Sequence, residues 1–185
     1  TILLIIFYTN QSNSVINQKK MEIKKIIEVS FSSLTHYYSL FNEKIISEEQ
    51  AKKEALIHLS KLRYNEKDYI WINDFSPSLL MHPYQKDLIG KNLTEYKDSN
   101  GKYILREFIN ICKENGEGFL DYYWNRYEDG QPQQKFSYVK EFTPWKWIIG
   151  TGVYIDDVNE QLSSLFYSSL ILWIILILIF IFTFL

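Results

Sequence analysis

The chain has 185 residues, a formal net charge of −2 and a single cysteine, Cys112. The length suits one domain with a core of its own. The weak negative charge predicts no nucleic-acid partner, because binding to a phosphate backbone normally needs clustered Lys and Arg. One cysteine excludes an internal disulfide and a cysteine-based metal site.

The N-terminal run, TILLIIFY at residues 1–8, is apolar but too short to span a bilayer. We interpret residues 1–9 as the end of a truncated first transmembrane helix. A signal-peptide core is the alternative, but no small-residue cleavage site follows in TNQSNS.

A long helix is predicted over residues 15–46, where the sequence contains no Gly or Pro. Its stripe of residues at helical spacing is Ile23, Ile27, Ser30, Leu34, Tyr37 and Phe41. This stripe predicts packing against the helix's own domain, and the near-heptad spacing also admits a partner helix close to the membrane. A second helix is predicted from Ser47 to about Tyr64, because Ser47 and Gln50 fit a capping box.

A strand hairpin is predicted at residues 69–83, YIWINDFSPSLLMHP, where two alternating runs flank an Asn-Asp…Ser-Pro-Ser break. In the first run Tyr69 and Trp71 share one face, and Ile70 and Ile72 share the other. In the second run, Leu80 and His82 alternate together. The hairpin therefore has one aliphatic face and one aromatic face.

The remaining soluble part predicts one short helix and an antiparallel meander. Residues 102–115 form the helix, which carries Ile104, Phe108, Ile111 and Cys112 on one apolar face and which Gly116 and Gly118 end. The predicted strands are 119–127, 135–142 and 145–155. With the hairpin they make a five-stranded antiparallel sheet, so residues 10–160 are expected to form one α+β domain.

A charge-free apolar run, residues 165–185, is long enough to cross a bilayer as a helix. Asp156 and Asp157 are expected to cap the helix that leads into it, and we assign residues 161–185 to a second transmembrane helix. A buried core helix is the alternative, although such a helix in a soluble protein keeps a polar face.

One face of the predicted sheet combines aromatic and polar side chains. Tyr122 shares a strand face with Trp124, and Lys135 shares one with Ser137. An apolar wall with a few polar groups is the usual composition of a ligand pocket. A carboxylate needs a fixed cation or several donors, which Lys135, His82 and tyrosine hydroxyls can supply. The alternative is that these are ordinary core or surface side chains.

Enzyme classes find little support. The sequence has no His pair at zincin spacing and no P-loop, and Gly150-Thr-Gly152 lacks the third glycine of a dinucleotide fingerprint. We therefore predict no catalytic residue, cofactor or metal in these residues. A structural domain that pairs subunits or binds another protein remains the rival to a ligand-binding domain.

Seven segments in register resemble the single Cache domain, the extracytoplasmic sensor module of bacterial chemoreceptors and sensor kinases. They are YIWIND, LLMHP, IGKNL, DSNGKYILREF, GEGFLDYYW, KFSYVKEFTPWKW and IIGTGVYIDDV, within residues 20–160. The resemblance implies a PAS-like sheet behind a long N-terminal helix. It also implies a small-molecule pocket on the sheet's other face, which in such domains often binds short carboxylates such as acetate, propionate, pyruvate or lactate.

The resemblance extends to site, partner and location. It maps the family's site positions onto His82, Tyr122, Trp124 and Lys135, and with the strand faces the ligand-binding candidates are Tyr69, Trp71, His82, Tyr122, Trp124, Lys135 and Tyr138. A homodimer through the membrane-proximal part of the long helix is implied, anchored in the bacterial inner membrane with residues 10–160 outside the cytoplasm. The second membrane helix is expected to transmit ligand occupancy to a cytoplasmic output module, which could be a chemoreceptor rod, a histidine kinase or a cyclic-dinucleotide enzyme.

Overall fold

A computed structural model describes residues 2–127 and 130–184. Within these residues four α-helices are formed: α1 (Ile2–Asn42), α2 (Glu48–Lys61), α3 (Ile104–Asn115) and α4 (Ile155–Phe184). Six strands are formed: β1 (Arg63–Tyr64), β2 (Asp68–Asp74), β3 (Leu79–Met81), β4 (Glu117–Asn125), β5 (Pro132–Phe142) and β6 (Trp147–Tyr154).

Helix α1 is continuous through the region predicted, but it ends at Asn42 and not at residue 46. The chain turns there because Lys44 adopts a left-handed backbone conformation (φ 59°), and the Leu40 carbonyl accepts the Ile45 amide. The predicted stripe is confirmed in the helix centre, where Ile23, Ile27, Ser30 and Leu34 are buried. This stripe packs on the sheet, as the helical spacing predicted.

Helix α2 begins as predicted, with the Ser47 side chain accepting the Gln50 amide at 3.1 Å. It ends at Lys61, earlier than the predicted Tyr64, because the chain enters the short strand β1. The left-handed residues Asn65 and Glu66 then turn the chain into β2. This two-residue strand is added to the five that the sequence predicted.

The sheet is antiparallel, with β6 at its centre between β2 and β5. Strand β5 pairs with β4 on one side of the sheet, β1 pairs with β2 on the other, and β3 pairs with β2. The α+β fold class predicted from the sequence is thereby confirmed. One face packs against α1 and α2, and the other packs against α3.

Helix α4 follows β6 directly and runs without a break from Ile155, which precedes the two aspartates that were expected to cap it. Asp156 and Asp157 thus lie within its first turn, where the helix dipole favours carboxylates. The segment Ile155–Thr183 is long and apolar enough to cross a membrane. The backbone of residues 2–9 belongs to α1, but the side chains of residues 1–8 lie outside the described part of the chain. A first membrane helix therefore stays a prediction.

Candidate functional site

A small cavity lies between the sheet and α3. Its volume is about 10 Å³, room for the centre of roughly one water molecule. Six of the seven predicted site residues line the cavity, and β3 and α3 supply the remaining lining residues. The lining residues are Tyr69, Trp71, Leu79, His82, Ile104, Leu105, Phe108, Tyr122, Trp124 and Lys135.

Lys135 is the cation of this cavity and is fully enclosed, with 1% of its surface exposed. Its Nζ donates to the Tyr69 hydroxyl at 2.9 Å and lies 4.9 Å from the centre of the Trp71 ring. Burial lowers the pKa of Lys135 to about 7; the nearby Asp68 carboxylate opposes this shift and Arg126 adds to it. Lys135 forms no salt bridge with any carboxylate that the structure describes.

His82 is held as a neutral donor. Its Nδ1 accepts the backbone amides of Tyr84 and Gln85 at 3.2 and 2.9 Å, which places the proton on Nε2. Burial first, and then the positive charge of Lys135, lower the pKa of His82 well below its usual range. The ring packs against Tyr69, with centroids 4.6 Å apart. His82 can therefore donate to a ligand without carrying a charge.

Two tyrosine hydroxyls complete the polar side. The Tyr69 hydroxyl bonds Tyr154 at 3.2 Å in addition to Lys135, and the Tyr122 hydroxyl bonds the Ser137 hydroxyl at 3.1 Å. Burial raises the pKa of both Tyr69 and Tyr122 well above the usual value. Both side chains consequently stay protonated and available as donors.

The opposite wall is apolar and comes largely from α3. Phe108 contacts Trp71 and Tyr122 with ring centroids 5.5 and 5.4 Å apart, and Ile104 and Leu105 lie one turn earlier. The cavity thus offers a cation and neutral donors at one end and hydrocarbon at the other. This composition suits a small anion with an apolar tail.

Tyr138 is the predicted residue that the structure does not bring to the cavity. It lies on the opposite face of β5, in the core shared with α1, where its ring contacts Phe119 at 4.8 Å. The alternation of the strand explains this, because Lys135 and Ser137 face the cavity and position 138 must face the helix.

Sequence reasoning missed the contributions of β3 and α3. Leu79 lines the cavity, whereas Leu80, predicted on the face of His82, packs into the core on the side of the sheet that α1 and α2 cover. The cause is a register shift in the β2–β3 pairing and the end of β3 at Met81, so His82 is beyond the alternating strand. For α3 the apolar stripe was a signal for burial, but nothing in it indicated which surface it covers.

No cluster of three or more His, Cys, Asp or Glu side chains is placed to hold a metal ion within residues 2–127 and 130–184. The polar groups around the cavity are one cation and several neutral donors. Such a set can bind and orient an anion through charge-assisted hydrogen bonds.

Comparison with known proteins agrees with this architecture. A structure described as "Periplasmic sensor domain of chemotaxis protein" superposes with a TM-score of 0.74 at 32% identity, covering 76% of this chain and 97% of that one. A second, described as "Structural basis for carboxylic acid recognition by a Cache chemosensory domain", gives a TM-score of 0.74 at 33% identity, covering 77% of this chain and 97% of the other.

Curated relatives are much longer than this chain. It is 31% identical to the methyl-accepting chemotaxis protein McpP of Pseudomonas putida, over 88% of this chain and 30% of McpP. It is 29% identical to the sensor histidine kinase MctS of Rhizobium johnstonii, over 80% of this chain and 32% of MctS. The chain therefore spans about a third of the length of these relatives.

The family model for the Cache domain matches residues 2–176, nearly the whole chain. The observed sheet, the long N-terminal helix and the cavity between sheet and α3 are consistent with that match. The chain belongs to the Cache domain family.

Proposed function

We propose that this domain is the extracytoplasmic sensor of a bacterial transmembrane receptor and that its cavity binds a short carboxylate. The observation that carries the proposal is Lys135, a buried ammonium surrounded by neutral donors and without a described carboxylate partner. Burying a charge is costly unless it is paired, so this position favours a ligand that brings the opposite charge.

The size of the ligand follows from the cavity. The present volume holds about one water molecule, so even acetate requires the walls to move outward. A carboxylate with one or two further carbons would place its charge against Lys135 and its tail against Phe108. The neighbour described by carboxylic acid recognition supports this ligand class at 33% identity.

Location and output follow from α4 and from the relatives. The helix leaves the last strand of the domain and continues as an apolar segment that fits a membrane span. We place the domain outside the cytoplasm, anchored in the inner membrane, with α4 carrying occupancy to a cytoplasmic module. We assign these residues binding and no catalysis. Since the relatives include a chemotaxis receptor and a sensor kinase, the proposal extends to either type of output.

The test is a calorimetric titration of the membrane-anchored chain with acetate, propionate, pyruvate and lactate. Propionamide is the matched neutral ligand. We expect carboxylates to bind and propionamide to fail, because only the former pairs with Lys135. Lys135→Met should weaken binding by about 1.5–3 kcal/mol, roughly 10- to 150-fold in Kd, the usual scale for a hydrogen bond to a charged group.

Lys140→Met is the control for that substitution, since Lys140 lies on the same strand but pairs with Glu117 at 3.1 Å, away from the cavity. It should leave Kd unchanged. Absence of heat with every carboxylate would favour the rival function, a structural or protein-interaction domain. Equal affinity of the parent and Lys135→Met would show that the anion is held elsewhere.

A further inference from the structure

Two chains of contacts lead from the cavity towards α4. The first begins at Lys135, whose Nζ donates to the Tyr69 hydroxyl at 2.9 Å. That hydroxyl bonds the Tyr154 hydroxyl at 3.2 Å. The Tyr154 ring in turn lies 4.1 Å from the guanidinium carbon of Arg126. Tyr154 is the last residue of β6, so this chain ends where α4 begins.

The second chain of contacts begins at His82. Its Nδ1 accepts the Gln85 amide at 2.9 Å. The Gln85 side-chain nitrogen donates to the carbonyl oxygens of Asn125 and Tyr127 at 3.2 and 3.0 Å. These two residues flank Arg126. Lys135 and His82 are therefore both connected, through these contacts, to the position of Arg126.

Asp157 connects this arginine to α4. Arg126 Nη2 donates to Asp157 Oδ2 at 2.5 Å, and Lys67 Nζ donates to Oδ1 at 3.2 Å. We call these three residues the Asp157 clasp. Arg126 directly follows β4 and Lys67 directly precedes β2. A single carboxylate in the first turn of α4 thus ties together the ends of two strands that wall the cavity.

The clasp lies at the ends of strands that must move when the cavity widens. Strands β2 and β4 are separated in the sheet by β6 and β5. They carry Tyr69 and Tyr122 on opposite sides of the cavity, which must widen to admit an anion. Lys67 and Arg126 sit at the ends of these strands and must follow them. One carboxylate cannot keep both bonds when its two partners separate.

We propose that the Asp157 clasp is the coupling device of this receptor: ligand entry separates Lys67 from Arg126, releases one side of Asp157 and shifts the first turn of α4. This inference rests on the proposed sensor function. The Arg126 side chain is 9% exposed, so its bond to Asp157 is screened much less than a surface ion pair. In this proposal the clasp has two states, closed and open, and both the cavity and α4 can bias the balance between them, which is what coupling physically requires.

The test measures the position of α4 in the full chain in lipid nanodiscs. Spin labels are attached at Lys53→Cys on α2 and Ser163→Cys on α4, both exposed positions. Cys112 does not compete for label, because it is buried and its thiol pKa is raised to about 12. Labelled chains are diluted with unlabelled ones so that only distances within one chain are measured. Double electron–electron resonance spectroscopy then gives the distance between the two labels with and without propionate. We expect propionate to shift this distance in the parent.

Asp157→Asn should abolish the shift, because the amide keeps the shape of the side chain and loses its charge. Propionate should still bind to it, with Kd moved by no more than a typical coupling factor of about 5- to 150-fold. The matched control is Asp156→Asn, whose carboxylate accepts from Gln133 and lies outside the clasp; it should keep the full shift. A full shift in Asp157→Asn overturns the proposal.

A second experiment needs no ligand and separates the clasp from the proposed function. Lys135→Met removes the hydrogen bond to Tyr69 at the start of the first chain of contacts, so the distance should change without any addition, and adding Asp157→Asn to the same protein should erase that change. If the parent binds no carboxylate, the sensor proposal fails and this experiment decides the clasp alone. An unchanged distance in Lys135→Met, or a change that persists in the double variant, counts against the clasp.

Discussion

Lys135 sits in an environment that penalises its charge. The ammonium has one hydrogen bond from its Nζ to Tyr69 and lies 4.1 Å from the centre of that ring. These contacts offset only part of the cost of burial, which is why its pKa falls to about 7. A bound carboxylate would restore the missing charge and raise this pKa again. Binding of an anion must therefore be linked to protonation of Lys135.

This linkage predicts that affinity depends on pH. Below about pH 7 the free domain already carries the proton on Lys135, and above it the ligand must bind together with a proton. We expect the Kd for propionate to increase about tenfold between pH 6 and pH 8, since the charged fraction falls about tenfold over that interval. Propionate itself, with a pKa near that of Glu, stays ionised throughout. Calorimetric titration at several pH values measures the effect.

The other titratable groups near Lys135 show whether the pH dependence of Kd comes from Lys135. His82 stays neutral across this range, because its pKa is far below the usual value, and Tyr69 stays protonated. Asp68 also faces Lys135, and burial raises its pKa. Because Asp68 remains in Lys135→Met, this variant should bind propionate weakly and lose most, though not all, of the change in Kd between pH 6 and pH 8. A parent Kd that is flat from pH 6 to pH 8 is incompatible with this linkage.

At the scale of elements, the cavity depends on how β2 and β6 pair. Trp71 lies directly opposite Gly150. A Cβ at position 150 would lie 2.3 Å from the Trp71 ring, closer than any real contact. The indole thus occupies space that only glycine leaves open. Gly150, which does not belong to a dinucleotide-binding motif, therefore determines how closely the Trp71 ring approaches β6.

Gly150→Ala should consequently push the indole towards Phe108 and narrow the cavity. We expect a loss of about 1–3 kcal/mol in the free energy of unfolding, typical of overpacking, and weaker propionate binding. Chemical denaturation and calorimetry measure the two effects. Adding Trp71→Phe provides the control, because the smaller ring should restore most of the stability. If Gly150→Ala leaves both quantities unchanged, the contact with Trp71 does not control the cavity.

Elements were predictable from the sequence wherever a local pattern decides the structure. The alternation of Tyr69 and Trp71 against Ile70 and Ile72 correctly separated the two faces of β2, which lie in different cores. Applied to β5, the same alternation puts Tyr138 on the face opposite Lys135, where the structure places it, although Tyr138 was among the predicted ligand-binding residues. The alternation rule failed at Leu80, because a register shift between neighbouring strands cannot be recognised from the sequence of either strand alone.

Contacts between residues that are far apart in the sequence were harder to predict. The apolar stripe of α3 predicted burial, but the placement of Phe108 over Trp71 joins residues 37 positions apart in the chain. The same limit applies to Arg126, which no motif singled out and which meets Asp157 only in the folded domain. The lining of the cavity by α3 and the Asp157 clasp are therefore properties of the tertiary structure.

At the scale of the whole molecule, α1 has an outer side that the domain leaves uncovered. Met21 is 57% exposed and Val29 is 69% exposed on this helix. The two residues are eight positions apart, about two helical turns, so they lie near one another along the rod. Two such side chains are too few to define an interface by themselves. We expect a second copy of the chain to contact this exposed part of α1.

A homodimer through α1 therefore stays a prediction, and cysteine cross-linking in the membrane tests it. We expect the full chain carrying Val29→Cys to form a disulfide-linked dimer on mild oxidation, since a disulfide requires Cα atoms within about 7 Å. Lys53→Cys on the exposed side of α2 is the control and should remain monomeric. The buried thiol of Cys112 should contribute nothing in either chain. If Val29→Cys and Lys53→Cys cross-link equally, contact between copies is collisional and α1 is not the dimer interface.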